Sequence, residues 1–198
     1  MSALACARVI VIALAACTRP DVDTGDAATS VRLDERRVQA AVLDSFFVRP
    51  GVTRLVIGDS TVRGANHFVD EDYKSAMSML GDLPNGLRED FERKRADRIP
   101  LGDLPTRVPH VSFDTQDRAA LLTGAANPAE YWQRFYTRFP ASSGRVSLSR
   151  VGFSRDHRYA MMLVDYGCGG RCGGTVYYLL ARQGNSWHTI REAQPRIS

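Results

Sequence analysis

The chain of 198 residues is poor in lysine and cysteine, has no long apolar run, and shows no clustering of charge of one sign. Lys74 and Lys94 are its lysines, so arginine carries the basic charge, and the arginines are interspersed with acids to a formal net charge of +4. A nucleic-acid reader would concentrate such charge on one face beside aromatic platforms. No stripe of that kind is present, and no nucleic-acid partner is expected. The apolar run that starts at Val9 falls well short of the ~20 residues a spanning helix needs, so no retained transmembrane helix is expected. No internal repeat is found either, which argues against a β-propeller.

What is present begins with a targeting pattern. A short segment ending at Arg8 is followed by Val9-Ile10-Val11-Ile12-Ala13-Leu14 and then Leu14-Ala15-Ala16-Cys17. That ending resembles the bacterial lipobox, in which the cysteine becomes the lipidated first residue of the mature protein. The resemblance implies a signal peptide over residues 1–16 and a lipid anchor on Cys17; the alternative is an ordinary secretory peptide with an incidental cysteine. Cleavage before Cys17 would leave 25 basic and 22 acidic residues. Residues 17–29, small, polar and acidic after the cysteine, read as anchor and flexible tether. Thr18 follows the cysteine in place of aspartate, and by resemblance to enterobacterial sorting this points to the periplasmic side of the outer membrane.

Residues 30–198 are the right size for one domain with its own core. Ser30 to Val48 places Val31, Val38, Ala41, Val42, Ser45 and Phe46 near one helical face, and Arg49-Pro50-Gly51 ends it. Thr53 to Gly58 reads as a short buried strand, Leu87 to Arg98 as a charged surface helix, and Asp114 to Leu122 as one or two helical turns. The clearest helix is Pro128 to Phe139. Asn127 caps it, Pro128 suits its first turn, and Glu130 stands three residues after the cap. Tyr131, Phe135 and Phe139 then fall four apart, with Trp132 and Tyr136 beside them, and an aromatic stripe at that spacing reads as core packed on a sheet.

From Arg145 onward the pattern becomes that of a β-meander. Runs rich in β-branched and aromatic residues, Arg145 to Phe153, Tyr159 to Tyr166, Thr175 to Arg182 and Trp187 to Arg191, are separated by turn-forming clusters. The fold class is therefore α+β, with helices packed on an antiparallel sheet that ends in a four-stranded meander. Cys168 and Cys172 lie in a glycine-rich loop between two of these strands, and a disulfide across the hairpin is the leading reading, with glycines free to take positive φ. A thiol exchanger would show two intervening residues at a helix start, and a metal site would need two further ligands such as His157 or His188. No cofactor or metal is expected.

Ile57-Gly58-Asp59-Ser60, a strand entering Gly-Asp-Ser, resembles the nucleophile block of the GDSL (SGNH) hydrolases, in which the serine attacks an ester. The rest of that machinery is missing. The residues three before His67, His110, His157 and His188 are Gly64, Arg107, Ser154 and Asn185, so no Asp-x-x-His exists, and no Gly-x-Asn-Asp block supplies oxyanion donors. Asp59 and Ser60 read instead as a turn bonding to nearby backbone.

Trp132-Gln133-Arg134-Phe135-Tyr136 with Phe139-Pro140, Leu148-Ser149-Arg150-Val151-Gly152-Phe153, Cys168-Gly169, Cys172-Gly173-Gly174 and Gly184-Asn185-Ser186-Trp187 resemble a group of uncharacterised exported bacterial proteins. The resemblance implies one domain with a cysteine-clipped hairpin and supplies no catalytic residue. The order of helices before a curved sheet is also similar to NTF2-like and cystatin-like folds, by analogy of fold alone. The expectation is a lipid-anchored envelope protein acting as a non-enzymatic module for an unknown protein or small-molecule ligand. The rival is an enzyme, either a Ser60-dependent hydrolase or a Cys168/Cys172 thiol-disulfide oxidoreductase.

Overall fold

The computed structural model describes residues 24–48, 51–62 and 67–197. The signal peptide, Cys17 and the first part of the tether lie outside the described residues, as do Arg49 and Pro50. Within them the elements run α1 (Thr24–Phe46), β1 (Leu55–Gly58), α2 (His67–Leu80), α3 (Leu87–Lys94), β2 (His110–Phe113), α4 (Thr115–Leu122), α5 (Pro128–Arg138), β3 (Arg145–Leu148), β4 (Gly152–Phe153), β5 (Tyr159–Gly169), β6 (Cys172–Gln183) and β7 (Ser186–Ile197). α1 starts six residues earlier than the tether reading placed it.

The seven strands form one sheet in the order β2-β1-β3-β5-β6-β7, with β4 pairing β5 off this path. The meander is antiparallel as expected, but β1 pairs in parallel with both β2 and β3, so the sheet is mixed. The fourfold run of the meander is also divided differently: Ser149 to Val151 interrupt what reads as a single first strand. There the Ser149 hydroxyl accepts from the Leu163 N–H at 2.9 Å and donates to the Arg150 carbonyl at 2.7 Å. β7 runs on to Ile197 as an edge strand, which is where Pro195 is tolerated because no neighbour needs its missing N–H.

Both faces of the sheet are covered, and period-two alternation decides which residue goes where. Leu55 and Ile57 join α1, Val146, Leu148, Met162, Val164, Tyr178 and Leu180 on one side. Met161, Leu163, Tyr177 and Leu179 face α2 and α3 on the other. Val56 also points to that second side, where Phe113, Leu121, Phe135 and Phe139 bring in α4 and α5. This double coverage explains why β5 opens with an unbroken apolar run rather than an alternating one.

The buried stripe of α1 is rotated from the expected one. Val38 and Val42 are in it, but Ser45 is exposed and Val31 and Phe46 are half-buried, while Glu35, Gln39, Leu43 and Phe47 are buried. The polar members are held by partners across the sheet. Gln39 Nε2 donates to the Ser149 carbonyl at 3.0 Å, and Arg150 donates twice to the Glu35 carboxylate at 2.8 Å. α2 carries Tyr73, Ala76, Met77 and Leu80 at helical spacing into the second core.

At the far end of the β5–β6 hairpin Cys168 and Cys172 are within disulfide distance, their Cα atoms 5.0 Å apart. The glycines here do not take positive φ, contrary to expectation. Their use is close approach instead. A Cβ on Gly167 would sit 3.0 Å from the Trp132 ring, and one on Gly174 would sit 2.6 Å from the Arg196 carbonyl. Because the bridge closes so short a loop, its reduction should cost about 2 kcal/mol, lowering the melting temperature by about 4–8 °C. Melts of oxidised and of reduced, alkylated protein measure this, and a loss of more than about 5 kcal/mol would show that the clip supports the whole fold.

Candidate functional site

The Gly-Asp-Ser turn after β1 holds no hydrolytic arrangement among the described residues. Ser60 Oγ donates to Asp59 Oδ1 at 2.7 Å and accepts from Arg98 Nε at 2.8 Å. Its serine is thus engaged by a guanidinium and its own neighbour's carboxylate, not by a histidine. His110 Nδ1 lies 2.9 Å from the Val108 carbonyl, His157 stacks on Phe153, and His188 is exposed on β7. Cys168 and Cys172 sit at a hairpin tip rather than a helix start, so the dipole that lowers an exchanging thiol's pKa is not available to them. Among the described residues no three His, Cys, Asp or Glu side chains are gathered as a metal would require, and no helix is long and apolar enough to cross a membrane.

A different site forms around α5. Asn127 Oδ1 accepts from the Glu130 N–H at 3.0 Å, and the Glu130 carboxylate accepts from the Ala126 N–H at 2.8 Å. This is the expected cap, shifted one residue at its return bond, and it fixes where the helix and its aromatic stripe begin. The stripe then divides. Phe135 and Phe139 are core, whereas Tyr131 and Trp132 are half-buried and line an open cleft of about 390 Å³ with Arg118, Leu122, Ala125, Asn127, Pro128 and Arg145. Trp132 is held edge-on against Tyr131 and Phe135, with ring centroids 5.4 and 5.0 Å away, and rests on the bare backbone of Gly167.

Charge in this cleft is unbalanced. Arg145, half-buried on β3, donates to the Tyr131 hydroxyl at 3.4 Å and forms no ion pair among the described residues. Among the described residues Arg118, exposed on α4, has no side-chain partner, and the Trp132 indole N–H has no acceptor. The neighbouring cations of α5 are paired, Arg138 with Asp117 at 3.1 Å and Arg134 with Glu130 at 2.5 Å. Sequence pattern misses this site because an arginine without a partner leaves no periodic trace, and the stripe that supplies the aromatic wall reads as core.

Behind the cleft lies Asp165 on β5, opposite Ser147 of β3 and Thr175 of β6. Burial pushes its carboxyl above the usual range, against the lowering influence of Arg145, a Thr175 hydroxyl bond of 3.3 Å, Arg196 and Arg118. A raised folded-state value means the folded chain holds the proton where the unfolded chain has lost it. Stability from this group is therefore complete below the unfolded value of about 4 and falls as pH rises through the folded one. Asp165→Asn should melt higher than the parent at pH 7 and the same as it near pH 3. A variant that melts lower at pH 7 would show that the arginines, not burial, dominate.

A second depression, of about 640 Å³, lies beside α2 and α3, where Tyr73 is engaged by its neighbours. The Tyr73 hydroxyl donates to Glu92 at 2.7 Å, and the Arg95 guanidinium lies over the Tyr73 ring at 4.4 Å. Burial, then that bond to Glu92, raises the Tyr73 pKa further. No family model, curated protein or solved structure matches the chain.

Proposed function

We infer that the chain is a non-enzymatic binding module of the bacterial cell envelope, held by lipid on Cys17 at the periplasmic side of the outer membrane, with the cleft between α4, α5 and β3 as its ligand site. The observation that carries the reading is Arg145: a half-buried guanidinium without a carboxylate partner among the described residues, beside an aromatic wall and with a second guanidinium, Arg118, lining the same cleft. Concave sites with an apolar wall and a few convergent polar groups are where small molecules bind. The anchor rests on the resemblance of Leu14-Ala15-Ala16-Cys17 to the lipobox.

Each half has its own test. Cys17→Ser should release the protein from the membrane fraction and end incorporation of labelled fatty acid; acylation that persists in the variant would remove the anchor. For the cleft, small anions, cations and neutral sugars are titrated into the purified protein while the Trp132 indole N–H resonance is followed. At least one should shift it saturably and be recovered unchanged. Recovery of an altered compound would make the protein an enzyme, and a panel that shifts nothing would remove the cleft from consideration.

A further inference from the structure

The geometry points to a small carboxylate carried on a flat apolar ring as the occupant of the cleft formed by Arg118, Tyr131, Trp132 and Arg145. This deepens the binding-module reading and rests on it. The cleft supplies donors without acceptors: two guanidinium groups and an indole N–H, none bonded to a protein carboxylate. A half-buried guanidinium with one long bond to a tyrosine hydroxyl keeps donors free to meet a ligand. Its planar fork matches the two oxygens of a carboxylate, and Arg118 in the same lining adds a second positive charge, with no partner among the described residues.

The remaining walls decide what the anion is attached to. Leu122, 54 % exposed, with Ala125 and Pro128, forms an apolar side, and the Tyr131 and Trp132 rings form another. A bare inorganic anion would leave these surfaces wet. A ring standing between them buries both its faces and keeps its carboxylate at the arginines, and a volume of about 390 Å³ accepts a body of one or two rings.

Benzoate, its neutral isostere benzamide, and benzylamine are titrated separately into the purified full chain, following the Trp132 indole N–H. Benzoate should bind saturably, benzamide on the order of tenfold more weakly or worse, and benzylamine not at all. Arg118→Gln, at an exposed position without contacts to lose, should weaken benzoate several-fold and leave the melting temperature unchanged; Arg145→Gln should weaken it on the order of tenfold. Equal binding of benzamide and benzoate, or indifference to both arginine variants, overturns the carboxylate. Preference for benzylamine overturns the sign of charge and assigns recognition to Asp165. A neutral sugar that shifts the resonance when benzoate does not overturns the ligand class and leaves the binding cleft standing, whereas silence of the whole panel removes the cleft as well.

Discussion

Replacing Glu35 by alanine should destabilise the protein by about 3–5 kcal/mol, because it removes one partner of a buried ion pair and leaves the other uncompensated. Glu35 is 2 % exposed, and both its oxygens accept from Arg150 at 2.8 Å. Arg150 would keep only Asp97, 3.6 Å away on the exposed side. Lys94, 3.7 Å from Glu35, would keep Asp90 at 2.8 Å and the Val151 carbonyl at 3.2 Å. The bond to Glu35 is what chiefly holds the Arg150 guanidinium in its charged form, against the opposing effect of burial. Urea unfolding measures the loss, and added salt should do little to it, since a buried pair is poorly screened. Changing both partners, Glu35→Leu with Arg150→Met, should recover much of the stability, because hydrophobic replacement of a whole buried pair is often close to neutral. A Glu35→Ala cost below about 1 kcal/mol would mean that water reaches the pair and the carboxylate was never expensive to remove.

That pair also marks where sequence reading ends. Helix periodicity located α1 but aimed it by its apolar residues, and the two polar residues that enter the core, Glu35 and Gln39, are explained only by Arg150 and Ser149, more than a hundred positions away. Local chemistry was legible wherever it was complete within a few residues. The Asn127 cap with Pro128 and Glu130, the hairpin of β5 and β6, and the proximity of Cys168 to Cys172 are of that kind. Pairing of distant strands was not: β1 lies in parallel between β2 and β3, and nothing in Leu55-Val56-Ile57-Gly58 announces its neighbours. Four-residue β2 buries only Phe113 and carries too little pattern to register as a strand. α2 did carry a pattern, in Tyr73, Ala76, Met77 and Leu80, and was readable by the same spacing that found α5.

The cleft was half legible. Its aromatic residues stand out in any reading of α5, but Tyr131, Trp132, Phe135, Tyr136 and Phe139 share one amphipathic signal whether they meet a sheet or a ligand. What separates them is where the sheet stops. Phe135 and Phe139 fall over Val56 and Phe113, Tyr136 donates to the Cys168 carbonyl at 2.9 Å, and Tyr131 and Trp132 reach the opening between α4 and β3. The tempting Gly-Asp-Ser motif failed for the opposite reason: its spacing is local, but its partner turned out to be Arg98.

Gly152→Ala should cost about 3 kcal/mol or more, although it adds a single methyl group. A Cβ at that position would lie 2.5 Å from the Phe91 Cβ and 2.6 Å from the Phe91 Cα and N, so it meets helix backbone and not the end of a movable side chain. The helix is not free to retreat. Asp90 Oδ2 accepts from the Phe153 N–H at 2.8 Å, Lys94 Nζ donates to the Val151 carbonyl at 3.2 Å, and the Arg155 N–H donates to the Asn85 carbonyl at 3.0 Å, all tying α3 or the turn before it to the strands around β4. On the other side Gly152 is paired with Met161 of β5, so β4 is held from behind as well. Relief therefore requires breaking the Asp90 bond, loosening Lys94 from the Glu35 network, or straining β4, and each is destabilising. Gly170→Ala is the matched comparison: a Cβ there meets nothing within 4 Å, and its effect should stay within about 0.5 kcal/mol. Urea midpoints of the two variants at unchanged slope measure the difference. If Gly152→Ala falls within about 1 kcal/mol of the parent, α3 is not clamped as its bonds indicate. Because Gly152 lies on the α3 side and the cleft is built from α4, α5 and β3, the surviving folded fraction of Gly152→Ala should bind benzoate with the parent's affinity, which separates the stability of the scaffold from the chemistry of the site.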